Sequence, residues 1–125
     1  MIILDTSVWI EFFKKNEPYF KAVQSLLNEN KVLTSEVIFS ELLQGARSEN
    51  ERTILLDYWN NLPKFSTDGI LIRAGLAAST HKWPSKGIGL IDSTIIQLAK
   101  ETSSQIWSLD KKLNSVLKKE EIFRL

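Results

Sequence analysis

Met1-Ile2-Ile3-Leu4-Asp5-Thr6-Ser7-Val8-Trp9-Ile10 decides the fold. The first four residues form an unbroken apolar run. They read as a short strand buried on both faces, the pattern of a parallel sheet rather than a half-solvated antiparallel one. Asp5 closes the run, and Thr6, Ser7, Val8, Trp9 and Ile10 follow it directly. A carboxylate in that setting is costly unless something satisfies it. Asp is also a favoured helix N-cap, so capping and a role in a site are both open and compatible.

Beyond this stretch, strand and helix signals alternate. Tyr19, Phe20, Val23, Leu26 and Leu27 share one face of a helix expected over Glu17 to Asn28. Lys31 to Thr34 reads as a short strand, and Ser35 is a fair cap for a helix running to about Ala46. A helix over Glu49 to Asn61 is stopped by Pro63. Lys64 to Thr67 is a possible strand, Gly69 to Thr80 a helix, and His81 to Gly89 an irregular loop. A helix from Asp92 to Thr102, a strand from Gln105 to Leu109, a short helix after Asp110 and an edge strand over Glu121 to Leu125 complete the chain. Strands alternating with helices predict an α/β fold on a parallel sheet, with helices on both faces. In such sheets ligands sit beyond the carboxyl ends of the strands.

Composition narrows the function classes. The 125 residues suit one domain, and a 43% hydrophobic content suffices for a core. No cysteine is present, which removes disulfides, thiolate metal sites and a cysteine nucleophile together. Sixteen basic against fifteen acidic residues give a net charge of +1, so no global field holds nucleic acid. No apolar run approaches the roughly 20 residues that span a bilayer, and the first residues lack the pattern of a signal peptide. The expectation is a soluble, cytoplasmic protein with no membrane partner.

Four acids stand apart from the mixed polar stretches. Asp5 and Asp110 close strands, and Glu41 and Asp92 are expected near helix starts, so all four can reach one rim of the sheet. Each has a plain alternative: a cap for Asp5, Asp92 and Asp110, a half-exposed surface residue for Glu41. Gly45, one turn beyond Glu41, leaves room for an approaching group. Ionised together, four carboxylates repel and need a cation. Oxygen donors without cysteine select Mg²⁺ or Mn²⁺ over Zn²⁺. Mg²⁺ takes one or two carboxylates together with substrate phosphate oxygens, the arrangement of a phosphodiesterase.

These residues resemble a known family. Ile2 to Ile10 is similar to the opening motif of the PIN domain, an apolar strand ending in Asp-Thr-Ser or Asp-Thr-Asn. Ser40-Glu41-Leu42-Leu43-Gln44-Gly45-Ala46 resembles its Glu-centred helix. Leu90-Ile91-Asp92-Ser93-Thr94-Ile95-Ile96 and Trp107-Ser108-Leu109-Asp110-Lys111-Lys112-Leu113 resemble its third and fourth motifs, all in order across nearly the whole chain. Leu113 stands where the family commonly has an aromatic, and the last acid, here Asp110, is the family's least uniform ligand. The short length looks like a VapC-type toxin of a toxin–antitoxin pair. The resemblance implies a three-layer α/β/α sandwich with a central parallel sheet of 4–5 strands. It also implies a Mg²⁺- or Mn²⁺-dependent endoribonuclease, homodimeric and inhibited by a cognate antitoxin protein. Asp5, Glu41, Asp92 and Asp110 would be the metal quartet, with Thr6 and Ser108 as supporting hydroxyls.

The loop before Asp92 is expected to meet RNA, with Lys82 and Lys86 on phosphates and Trp83 stacked on a base. A solvated loop with Trp83 half-packed on the core is the alternative. His81 reads as an ordinary loop residue, and the Lys111-Lys112 and Lys118-Lys119 pairs as solvated helix faces. Trp9, Phe12 and Phe13 offer apolar surface for dimerisation. The expected reaction is attack of metal-activated water on phosphorus, leaving 5′-phosphate and 3′-hydroxyl ends. Two rivals remain. An aspartyl phosphatase wants a second Asp two residues after the first, where Ser7 stands. A non-catalytic RNA- or protein-binding module on the same fold is the other.

Overall fold

Strand β1 (Ile2–Leu4) lies at the centre of a parallel sheet ordered β2-β1-β3, with β2 at Val32–Leu33 and β3 at Gln105–Trp107. The computed structural model describes residues 1–64 and 68–125. Ile2 pairs with Val32 and Gln105, Ile3 with Leu33 and Ile106, and Leu4 with Trp107. Successive strand residues face opposite sides of a sheet, and Ile2, Ile3 and Leu4 are all buried. Both faces are therefore covered, which gives the helix–sheet–helix layering expected from the unbroken apolar run.

Among the described residues the sheet has three strands where 4–5 were expected. The stretch beginning at Lys64 makes a single parallel bridge to Thr34, and residues 65–67 of that expected strand lie outside the described residues. The expected edge strand over Glu121 to Leu125 contracts to one bridge, Ile106 to Ile122. Its start is taken by a 3-10 turn, Lys119–Glu121, in which the Glu121 carboxylate accepts from the Lys118 amide at 2.8 Å. A residue held in a turn cannot extend a ladder.

Helices α1 (Thr6–Phe13) and α2 (Tyr19–Asn28) link β1 to β2. Between β2 and β3 run α3 (Glu36–Gln44), α4 (Glu49–Asn61), α5 (Ile70–His81) and α6 (Leu90–Thr102), and α7 (Lys111–Ser115) follows β3. α1 is an element beyond those expected from the sequence. Its signal is the spacing of Val8, Trp9 and Phe12, which places them on one buried face. Trp9 is fully buried in an aromatic cluster with Phe12, Phe13, Phe39 and Tyr58, at centroid separations of 5.3 to 6.0 Å. Trp9 and Phe12 are thus core residues and offer no dimerisation surface, contrary to the expectation. Hydrophobic side chains of 8- to 13-residue helices are satisfied intramolecularly first, because burial in the core removes most of their apolar area. Among the described residues no helix is long and apolar enough to cross a membrane.

Candidate metal centre

The register of the sheet builds the site. Leu4 pairs with Trp107, so the next residues, Asp5 and Ser108, emerge side by side at the carboxyl ends of neighbouring strands. Asp5 is the N-cap of α1. Its Oδ1 accepts from the amides of Ser7 at 2.9 Å and Val8 at 3.4 Å and from the Ser7 hydroxyl, and its Oδ2 accepts from the Ser108 hydroxyl. The capping reading of Asp5 holds, and the same carboxylate lies at the rim of the sheet. Burial pushes the Asp5 carboxyl above its usual range, and the hydrogen bonds from Ser108 and Ser7 offset part of that.

The same hydroxyls fix the far side. Ser7 Oγ accepts from the Leu109 amide at 3.0 Å, and Ser108 Oγ accepts from the Asp110 amide at 3.0 Å. Asn114 Nδ2 donates to the Ser108 carbonyl at 2.9 Å. The turn bearing Asp110 is thereby stitched to the end of β1. Asp110 caps α7, its Oδ1 accepting from the Lys112 amide at 2.9 Å.

Glu41 is the sixth of the nine residues of α3, in its second half rather than near its start. It reaches the rim because α3 packs on α1, and the Thr6 hydroxyl donates to its Oε1. An added β-carbon on Gly45 would meet only carbonyls of its own helix, so that side stays open. Asp92 sits in the first turn of α6, which begins at Leu90 with Gly89 as its N-cap; the capping alternative for Asp92 is therefore replaced by a side chain free to face the rim. Its carboxyl is pushed up to about 6, first by burial and then by the charges of Asp110, Asp5 and Glu41. Asp92 thus feels the charges of the other three acids at one edge of the sheet.

Among the described residues none of the four acids forms an ion pair with a lysine, arginine or histidine. The ion pairs of the described residues are Lys31–Glu29 and Arg73–Glu101, both elsewhere. Among the described residues no three carboxylate or imidazole groups are arranged to hold one ion together. The donor set fits a hard divalent cation that takes one or two carboxylates directly and reaches others through water, as Mg²⁺ does. A soft or tetrahedral ion wanting three or four close ligands fits poorly.

Thr6 and Ser108 stand where the motifs put them, each donating to an acid. Ser7 and Asn114 were missed as supports. Ser7 carried a signal, since a hydroxyl two residues beyond a strand-ending Asp lies beside its carboxylate in a capping turn. Trp83 is a correction. It is 3% exposed, His81 stacks on it at 5.2 Å, and the Lys100 ammonium lies 5.4 Å from its ring. Bonds from the Trp83 amide to the Ala78 carbonyl and from the Ile88 amide to the Trp83 carbonyl hold it there, so it cannot stack on a base. Lys82 and Lys86 remain exposed.

The model of the PIN domain matches residues 2–119. The chain belongs to the PIN domain family. Ribonuclease VapC32 of Mycobacterium tuberculosis is 28% identical over 118 residues, covering 92% of this chain and 89% of that protein. Ribonuclease VapC11 of the same species is 35% identical over 71 residues, covering 54% and 53%. Among solved structures, VapC20 of Mycobacterium tuberculosis, a sarcin–ricin loop cleaving toxin, superposes with a TM-score of 0.74 at 15% identity, covering 96% of this chain and 98% of its own. VapBC2 of Rickettsia felis, bound to a promoter DNA fragment, gives a TM-score of 0.73 at 19% identity, covering 98% and 96%. These likenesses establish the PIN fold, and they agree with the parallel order and layering described above.

Proposed function

We propose that this PIN domain is a Mg²⁺- or Mn²⁺-dependent endoribonuclease, the toxin of a cytoplasmic toxin–antitoxin pair, with RNA as substrate and a cognate antitoxin protein as inhibitor. One observation carries the reading: Asp92, half-buried and raised to about 6 beside Asp110, Asp5 and Glu41, with no ion pair to any of the four among the described residues. The similarity to Ribonuclease VapC32 over most of both chains supports it.

Asp5, Asp92, Asp110 and Glu41 would hold the ion, one or two of them directly and the others through water. When bound, it supplies an activated water and charge stabilisation for cleavage to 5′-phosphate and 3′-hydroxyl ends. The protein's part is positional. Ser7 and Ser108 lock both Asp5 oxygens, Thr6 orients Glu41, and the Ser108 hydroxyl ties Asp110 to Asp5 through its amide. Such supporting bonds keep ligands in place before substrate arrives. Self-association into a homodimer belongs to the same proposal, moved from Trp9 and Phe12 to the exposed face of α5, where Ile72 is 80% and Leu76 69% exposed.

Incubation of the purified, antitoxin-free chain with RNA tests this. Mn²⁺ should support cleavage, EDTA should abolish it, and Asp5→Asn should be inactive. Mass spectrometry should find 5′-phosphate ends, and a cyclic phosphate would contradict water attack. RNA binding without metal-dependent cleavage would make the chain a binding module instead.

A further inference from the structure

An acidic quartet repels the polyanion it is proposed to cut, and a net charge of +1 supplies no general attraction. Cations must therefore be placed at the site itself. The structure fixes one. Gly87 has φ +80, and a β-carbon placed on it would lie 3.1 Å from Lys112 Cδ and 3.5 Å from Lys112 Nζ. The Lys112 stem thus lies across the bare backbone of Gly87. Lys112 is two residues beyond Asp110, whose carboxylate takes its amide, and Gly87 is two residues before Gly89, the cap of the helix bearing Asp92. The stem spans the elements that carry two of the four acids.

The supporting loop is ordered. Lys86 and Ile88 donate their amides to the Trp83 carbonyl, Gly87 donates to the Pro84 carbonyl, and buried Trp83 and Ile88 anchor the turn to the core. The ammonium itself is exposed and forms none of the ion pairs of the described residues. Its stem lies against Gly87 while its charge enters none of those pairs, so the ammonium is directed to the rim and available to an anion.

We infer that Lys112, braced by Gly87, binds a phosphate of the RNA strand next to the one cleaved. This rests on the nuclease reading and adds a residue outside the acidic quartet. Lys112 is a binding residue here and not a catalytic one. Glycine at 87 serves twice, by its positive φ and by leaving the groove for the stem.

Binding of a fluorescently labelled single-stranded RNA to the Asp5→Asn chain, followed over a series of salt concentrations, tests the assignment. Lys112→Met keeps the stem and removes the charge. It should weaken binding roughly threefold to tenfold and lower the slope of log affinity against log salt by about 0.7, one phosphate contact on a single strand. Lys112→Arg should keep the slope. Gly87→Ala should lose affinity in the same direction by displacing the stem, and Lys21→Met, a charge control on α2, should change nothing. In the active chain Lys112→Met should raise KM with kcat nearly unchanged. RNA binding with an unaltered slope in Lys112→Met would overturn this assignment and leave the nuclease reading intact. No RNA binding by the parent chain would sink both.

Discussion

Asp92 illustrates how little a single residue's identity says about its chemistry. Its carboxyl is pushed up to about 6, first by burial and then by the charges of three other acids, none of them its sequence neighbours. A consequence for stability follows. Below the ordinary aspartate range both folded and unfolded chains hold the proton, and Asp92 contributes no pH dependence. From about pH 4 to about 6 the folded chain keeps a proton that the unfolded chain has released, so this contribution to stability falls as pH rises, then levels off. In EDTA, the gain in melting temperature of Asp92→Asn over wild type should therefore grow across that window and stay constant above it. NMR titration of Asp92 should give a midpoint near 6, lowered in Asp110→Asn. Ser108→Ala removes the donor to Asp5 and the acceptor for the Asp110 amide at once. Cleavage should drop roughly tenfold to a hundredfold, for a loss of about 1 kcal/mol in folding free energy by urea denaturation. The grouping of the four acids was legible because Asp5 and Asp110 follow apolar strands while Glu41 and Asp92 interrupt apolar helix faces, settings in which a carboxylate is rare. Ser7 and Asn114 were not, since a serine or asparagine in a turn has many uses, and only the register of β1 against β3 selects one.

At the scale of elements, α1 is where local and long-range forces meet. Asp5 starts it by capping, and Trp9 anchors it among four other aromatic rings. Trp9→Ala should cost about 3–5 kcal/mol, measured by urea denaturation, because neighbouring rings cannot close the cavity. It should lower activity chiefly by lowering the folded fraction. The loop from Lys82 to Gly89 teaches the opposite lesson. Its composition, two lysines, a tryptophan and glycines, suggested a flexible RNA-binding loop, yet Trp83 is buried. Whether an aromatic beside cations faces solvent or core depends on the helices beneath it, here α5 and α6, which receive it through the Ala78 carbonyl and the Lys100 ammonium.

For the whole molecule, the apolar residues left outside the core point to association. Ile72 and Leu76 lie one turn apart on α5, and Leu71 beside them is half-exposed. Ile72→Asp combined with Leu76→Asp should convert the proposed dimer to monomer in sedimentation velocity, leaving the circular dichroism spectrum unchanged. A monomeric wild type would refute the dimer without touching the metal site.

The sequence alone determined the parallel α/β class and which acids could share one rim, because unbroken apolar runs and charges at their ends are constraints each segment carries locally. It left open how many strands complete the sheet, which hydroxyls hold the acids, and which aromatic faces water. Those depend on groups far apart in the chain competing for the same interior space and the same hydrogen bonds. Only the packed molecule decides that competition.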